Sequence, residues 1–147
     1  MQLTSFTDLG LRIAMRLAVL GEDETATTSL LASQLHVRYT HAVKVVAALQ
    51  KAGVVETRRG RQGGLRLAEG AREVPVGSLV RQLEGPGEVV DCDGASPCPL
   101  RGGCRLRSAL RRAQEAFLAS LDGVTIGDVA SPPTRSLLLS LSAGPDA

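Results

Sequence analysis

The sequence predicts a mostly α-helical protein with one small β-hairpin: a winged helix-turn-helix domain followed by a long helix suited to dimerisation. Three observations predict it. Apolar residues recur at helical spacing through residues 6–52, two short alternating runs joined by glycines come directly after, and a heptad-like seam begins after residue 105.

The first helix is expected over residues 6–20. Leu9, Ile13, Leu17 and Leu20 form its apolar side and Arg12 and Arg16 lie on another, with Thr7 as cap and Asp8 in the first turn, where a carboxylate complements the helix dipole. Thr27-Thr28-Ser29 is a capping signal for a short second helix carrying Leu30, Leu31 and Leu35. A turn at His36-Val37 leads into a third helix, closed by Gly53, whose apolar face is Ala42, Val45, Val46 and Leu49; Thr40, His41, Lys44, Ala48 and Lys51 are left outside. The outer face of that helix carries no acid, the outline of a helix-turn-helix pair.

Residues 54–59 and 65–68 alternate like strands around Gly60-Arg61-Gln62-Gly63-Gly64. A hairpin whose tip holds Arg58, Arg59, Arg61 and glycines, placed directly after the helix pair, reads as a basic wing. Arg38, Tyr39, Thr40, His41 and Lys44 on the third helix join those three arginines as candidate contacts to duplex DNA, where cations release the counterions of phosphates. A short helix stopped by Gly85 and Pro86 ends this domain, 1–85. The segment 86–104 is a loop, 105–130 holds the long dimerisation helix and a C-terminal segment, and 131–147, rich in Ser, Pro and Gly, is expected to be a disordered tail. On the long helix Leu106, Leu110, Ala113 and Phe117 are spaced 4-3-4, a seam that calls for a second subunit.

The chain has 147 residues, enough for one ordinary domain, and a net charge of only +2. Residues 1–69 carry nine Lys/Arg against six Asp/Glu, so the modest positive excess lies with the helix-turn-helix. No export signal and no apolar run of bilayer length is evident, so a cytoplasmic, reducing setting without membrane contact is expected. The two histidines both fall in the helix-turn-helix region, and no nucleophile and base stand together, which speaks against an enzyme.

All three cysteines, Cys92, Cys98 and Cys104, occur in the loop as Cys-x5-Cys-x5-Cys, interleaved with Gly94, Pro97, Pro99, Gly102 and Gly103. An odd number of thiols does not suit disulfide pairing, and sequence so rich in Gly and Pro is not core. Three soft thiolates suit an iron-sulfur cluster or zinc, although zinc sites usually show closer Cys pairs. Either centre wants a fourth ligand from elsewhere. Arg101, Arg105 and Arg107 surround Cys104 with positive charge at a helix start, which favours an anionic thiolate centre.

Met1-Gln2-Leu3-Thr4-Ser5-Phe6-Thr7-Asp8, the third helix opening Tyr39-Thr40-His41, the wing Arg58-Arg59-Gly60-Arg61-Gln62-Gly63-Gly64 and the cysteine spacing occur in this order. Together they resemble the bacterial iron-sulfur winged-helix transcriptional regulators, over residues 1–130, and within them the NsrR group of nitric-oxide-sensing repressors. The resemblance implies a homodimer on a two-half-site DNA operator, with one 4Fe-4S cluster per subunit at Cys92, Cys98 and Cys104 and nitric oxide as the signal. It further implies Asp8 of the partner subunit as fourth ligand; by residue type alone Asp8 is a first-turn acid, and Glu88, Asp91 and Asp93 are rivals nearer in sequence. The IscR group instead places a histidine three residues after the third cysteine, where this chain has Arg107. A zinc-stapled regulator, or one sensing redox or iron-sulfur status, is the alternative expectation.

Overall fold

The computed structural model describes residues 1–142. The helix-turn-helix consists of α1 (Ser5–Ala18), α2 (Thr28–Gln34) and α3 (Tyr39–Lys51), and the wing of β1 (Val55–Arg58) and β2 (Gly64–Leu67). A 3-10 turn (Ala71–Glu73) leads to α4 (Val76–Glu84); the thiol loop is followed by α5 (Arg105–Asp122), α6 (Ile126–Val129) and α7 (Thr134–Ser140). No helix among the described residues is long and apolar enough to cross a membrane.

The first helix is the centre of the core. Its Leu9, Ile13 and Leu17 meet Val45 and Leu49 of α3, Leu31 of α2, Leu79 of α4 and Leu65 of β2, all buried. Removing a Leu or Ile side chain from water contributes about 1.5–3 kcal/mol, so this apolar stripe is what fixes α3 relative to the rest. The cap of α1 is Thr4 rather than the expected Thr7: the Thr4 hydroxyl accepts from the Thr7 N–H at 3.3 Å. Thr4 is itself anchored, donating its N–H and its hydroxyl to Glu84 Oε1 at 2.8 and 2.9 Å, so α1 starts where α4 ends. Thr7 is fully buried beneath this junction.

Arg16 also departs from expectation. It does not share an outer face with Arg12 but is 2% exposed, its Nε donating to Gln34 Oε1 at 3.0 Å and another guanidinium nitrogen to Ser142 Oγ. Burial holds its pKa below the ordinary arginine value, against the raising effect of Glu24. The cover comes from the chain end: residues 134–140 form a helix whose Leu138 enters the core, where composition predicted a tail. Residues 143–147, the remainder of that expected tail, lie outside the described residues.

In the turn between α2 and α3, His36 takes the left-handed conformation at φ 54° and Val37 N–H returns to Ala32 C=O at 2.9 Å. The wing pairs antiparallel with Val55 opposite Leu67 and Arg58 opposite Gly64, and a bridge from Ala26 to Leu65 sews it to the segment before α2. Beyond the wing, Val76 and Val80 of α4 pack on Leu118 of α5. They meet closely because position 77 is glycine: a Cβ there would stand 2.5 Å from the Leu118 carbonyl oxygen.

Candidate functional site

Two regions carry the residues singled out by sequence. The first is the outer side of α3 with the wing. Tyr39, Thr40 and Lys44 are exposed on α3, Tyr39 at 55%, and Arg38 stands exposed at its N-cap. His41 is half-covered, its ring 6.1 Å from that of Phe6 on α1, so it joins the helix pair as well as facing outward. Val43, which sequence reading did not single out, is 40% exposed on the same helix; an exposed methyl pair beside polar groups can contact a thymine methyl.

The wing separates its three arginines. Arg58 is engaged by Asp23 at 3.2 Å, whereas Arg59 and Arg61 make no ion pair among the described residues. Gly60 between them has φ 117°, a conformation that only glycine adopts readily, and it turns the tip. Two hydrogen bonds hold the hairpin in place: Gln50 Nε2 of α3 donates to Thr57 Oγ1 at 2.8 Å, and Thr25 Oγ1 donates to the Gln62 carbonyl at 2.8 Å. Helix and wing thus present two cationic elements held in fixed relation to each other.

The second region is the thiol loop. All three cysteines are half-buried and unpaired. Cys98 N–H donates to the Cys92 carbonyl at 3.0 Å, and Cys104 caps α5, its Sγ accepting from the Arg107 N–H at 3.4 Å. Burial pushes the Cys92 thiol up, the Arg107 charge pulls it down, and the neighbouring Cys98 and Cys104 thiols push it up again. Among the described residues no group of three His, Cys, Asp or Glu side chains is placed to hold a metal ion. By residue type the three soft sulfurs suit a thiolate-bound centre, and Cys104, at a helix N-terminus, lines a cleft with Arg101, Arg105, Arg107 and Arg111.

Arg107 has a role the sequence did not reveal. It donates from Nε to Glu88 Oε2 at 2.8 Å, from one terminal nitrogen to Glu88 Oε1 at 3.1 Å and from the same nitrogen to Asp93 Oδ2 at 2.6 Å. The bonds from Arg107 hold the Glu88 carboxyl below its ordinary pKa. Two of the three carboxylates that rivalled Asp8 are thereby occupied, and the third, Asp91, is folded against Gly94. Asp8 itself is half-exposed on α1 and pairs with Arg12 at 2.6 Å, an exposed i,i+4 pair of small energy.

The comparisons agree with this architecture. Residues 3–132 match the Rrf2 family, described as iron-dependent transcriptional regulators. The chain belongs to the Rrf2 family. It is accordingly a winged-helix transcriptional regulator and not an enzyme. It is 57% identical to the HTH-type transcriptional repressor NsrR of Streptomyces coelicolor over 99% of both chains. It is 40% identical to the HTH-type transcriptional regulator NsrR of Geobacillus kaustophilus, over 88% of this chain and 89% of that one. Among solved structures, CymR, the global cysteine regulator of B. subtilis, superposes with a TM-score of 0.68 at 25% identity, covering 88% of this chain and 96% of that one. IscR of T. potens superposes with a TM-score of 0.69 over 88% of this chain and 85% of its own, which at 22% identity speaks for the shared fold.

Proposed function

We propose that this protein is a homodimeric, cytoplasmic repressor whose operator binding is controlled by a 4Fe-4S cluster, one per subunit, with nitric oxide as the signal. The observation that carries the proposal is the coexistence, in one Rrf2 chain, of a basic helix and wing with a loop that carries three free thiols, one of which, Cys104, lines an arginine-rich cleft. Similarity to NsrR repressors over nearly the whole chain supports the choice of signal.

Cys92, Cys98 and Cys104 would hold the cluster, with Asp8 of the partner subunit as the fourth ligand. When bound, the cluster supplies an iron site that reacts with nitric oxide. A carboxylate is a harder donor to iron than a thiolate, so the Asp8 position is the one most readily vacated. Asp8 lies on α1, and α1 is packed on α3 through Leu9, Ile13, Val45 and Leu49. Any displacement of α1 therefore displaces the recognition helix.

In a dimer the two α3 helices would enter successive major grooves about 34–36 Å apart while the wings lie on phosphates or the adjacent minor groove. The seam that would join the subunits is uncovered in the single chain: Leu106 is 66% and Phe117 38% exposed. Release of Asp8 would shift the pair of α3 helices between a spacing that fits the operator and one that does not.

The test is direct. Anaerobically purified protein should be brown with broad visible absorption, retard operator DNA and release it on exposure to nitric oxide, and Cys92→Ala, Cys98→Ala and Cys104→Ala should each abolish colour and weaken specific binding. Colourless parent protein carrying stoichiometric zinc, or cysteine variants that bind the operator as tightly as the parent, would overturn the reading. Asp8→Ala should load cluster yet lose the coupling of nitric oxide to DNA release; a normal response in that variant moves the fourth ligand elsewhere.

A further inference from the structure

We infer that Arg107 is the positioning residue of the cluster loop, and that by engaging Glu88 and Asp93 it keeps these two carboxylates off the iron. The inference rests on the cluster reading above and adds to it the residue that sets the loop's shape before any iron arrives.

The loop's apolar side chains are outside, Val89 at 42%, Val90 at 36% and Leu100 at 66% exposed, so burial does not order it. Gln114 of α5 fixes its entry, accepting from Val89 N–H at 3.1 Å and donating to the Gly87 carbonyl at 2.8 Å, and Arg107 makes the charged links. The guanidinium reaches Glu88, four residues before Cys92, and Asp93, the residue after Cys92, while the backbone N–H of Arg107 holds Cys104 Sγ. One residue thus links the entry of the loop, the first thiol and the third. Glu88 receives two parallel bonds, the planar fork that arginine can make and lysine cannot.

The same bonds decide which carboxylate is available. Both Glu88 oxygens and one Asp93 oxygen accept from Arg107, whose charge persists at any pH the protein meets. A carboxylate so bound must break charge-assisted hydrogen bonds before it can ligate. With Glu88 and Asp93 engaged, the fourth position is left to a group held less firmly, such as Asp8, whose one ion pair among the described residues is an exposed i,i+4 pair with Arg12. A ligand from outside the loop lets the bond report on the rest of the dimer. A carboxylate of the loop itself would complete the cluster without touching any other part of the molecule.

Arg107→Lys, Arg107→Gln and Arg107→Ala in the complete chain test this, with far-UV circular dichroism checking that α5 is intact. In apo-protein the three thiols should react with a chromogenic disulfide several-fold faster in Arg107→Ala and Arg107→Gln than in the parent, with Arg107→Lys between. Loaded protein should lose iron to a chelator about 10- to 100-fold more readily in Arg107→Ala, the usual effect of removing a group that orients a ligand shell. A second arm addresses the carboxylates. Asp8→Ala alone should leave an iron open to added thiol, seen as a change in visible circular dichroism. Asp8→Ala/Arg107→Ala should not respond, because a freed Glu88 or Asp93 takes the place. Parent protein that holds no cluster sinks the functional reading. Parent protein that holds cluster, with variants matching it in thiol reactivity and iron retention, or a double variant still open to thiol, sinks only the role of Arg107.

Discussion

The helix-turn-helix body and the thiol loop are built by different physics. In the body, α1 is surrounded by buried Leu and Val from α2, α3, α4 and β2, and α3 is held by close packing. The loop and the first turns of α5 bury no large apolar side chain, and what crosses them is polar: charged bonds around Arg107 and the Gln114 amide on Gly87 and Val89. The contrast places close packing and a charge-held loop in separate parts of one small chain, which suits the proposed division between a DNA-binding body and a sensing loop.

The largest effect that tests this contrast comes from the core. Leu49→Ala, at a fully buried position, should destabilise the apo-protein by about 2–5 kcal/mol in urea unfolding. Cys98→Ala in the loop should cost about 1 kcal/mol or less, because no packed interior surrounds it. The two variants should differ oppositely in cluster: Leu49→Ala, where folded, keeps the thiols, and Cys98→Ala loses colour. Equal destabilisation by both would mean that the loop is part of the cooperative core.

What was legible in the sequence divides along the same line. The three helices and the wing were visible because periodicity and turn residues act locally: Leu9, Ile13 and Leu17 on one stripe, Gly60 and Gly63 between two alternating runs. The thiol loop announced itself through cysteine spacing. The clamp did not, since Glu88 and Arg107 are 19 residues apart and opposite charges in an irregular loop carry no period. Arg16 was misplaced for a related reason. Nothing in α1 itself says that α7 will cover it, and α7 was hidden in a Ser/Pro-rich stretch whose Leu138 finds a place only in the folded core. Thr4 displaced Thr7 as the cap because Glu84, 80 residues away, holds it there.

A second, intermediate effect sharpens the comparison on the DNA side. Arg59 and Arg61 are available to phosphate, and Arg58 is shared with Asp23. Arg61→Ala should weaken binding to matched and scrambled DNA alike and flatten the salt dependence by about one unit of slope per lost contact. Arg58→Ala should do less of both, and Asp23→Asn should strengthen binding to any duplex by releasing the arginine. Thr40 and Lys44 variants should instead alter preference among sequences. Titrations at several salt concentrations decide it; if Arg58 and Arg61 variants behave alike, the Asp23 pair has no influence in the complex.

The smallest effect lies at the junction that carries α1. Burial pushes the Glu84 carboxyl up, but the neighbouring Thr7 hydroxyl and the two bonds accepted from Thr4 outweigh this and hold it below its ordinary pKa. A carboxyl depressed on folding stabilises the native state above its unfolded pKa of about 4.3 and ceases to do so as pH falls through the lower folded value. Glu84→Gln should therefore cost about 1 kcal/mol at neutral pH, less than the roughly 1.5–3 kcal/mol of a buried hydrogen bond to a charged group because the site is partly solvated. The cost should begin to shrink as pH falls below the unfolded value of about 4.3 and vanish only once pH has passed the lower folded value. Urea midpoints of parent and variant followed from neutral pH down into the acid limb of stability measure the difference directly. A gap that stays constant would show that shape rather than charge anchors Thr4. A gap that closes would identify the start of α1, four residues from Asp8, as an electrostatic hinge that can yield while the apolar stripe beneath it holds α1 to α3.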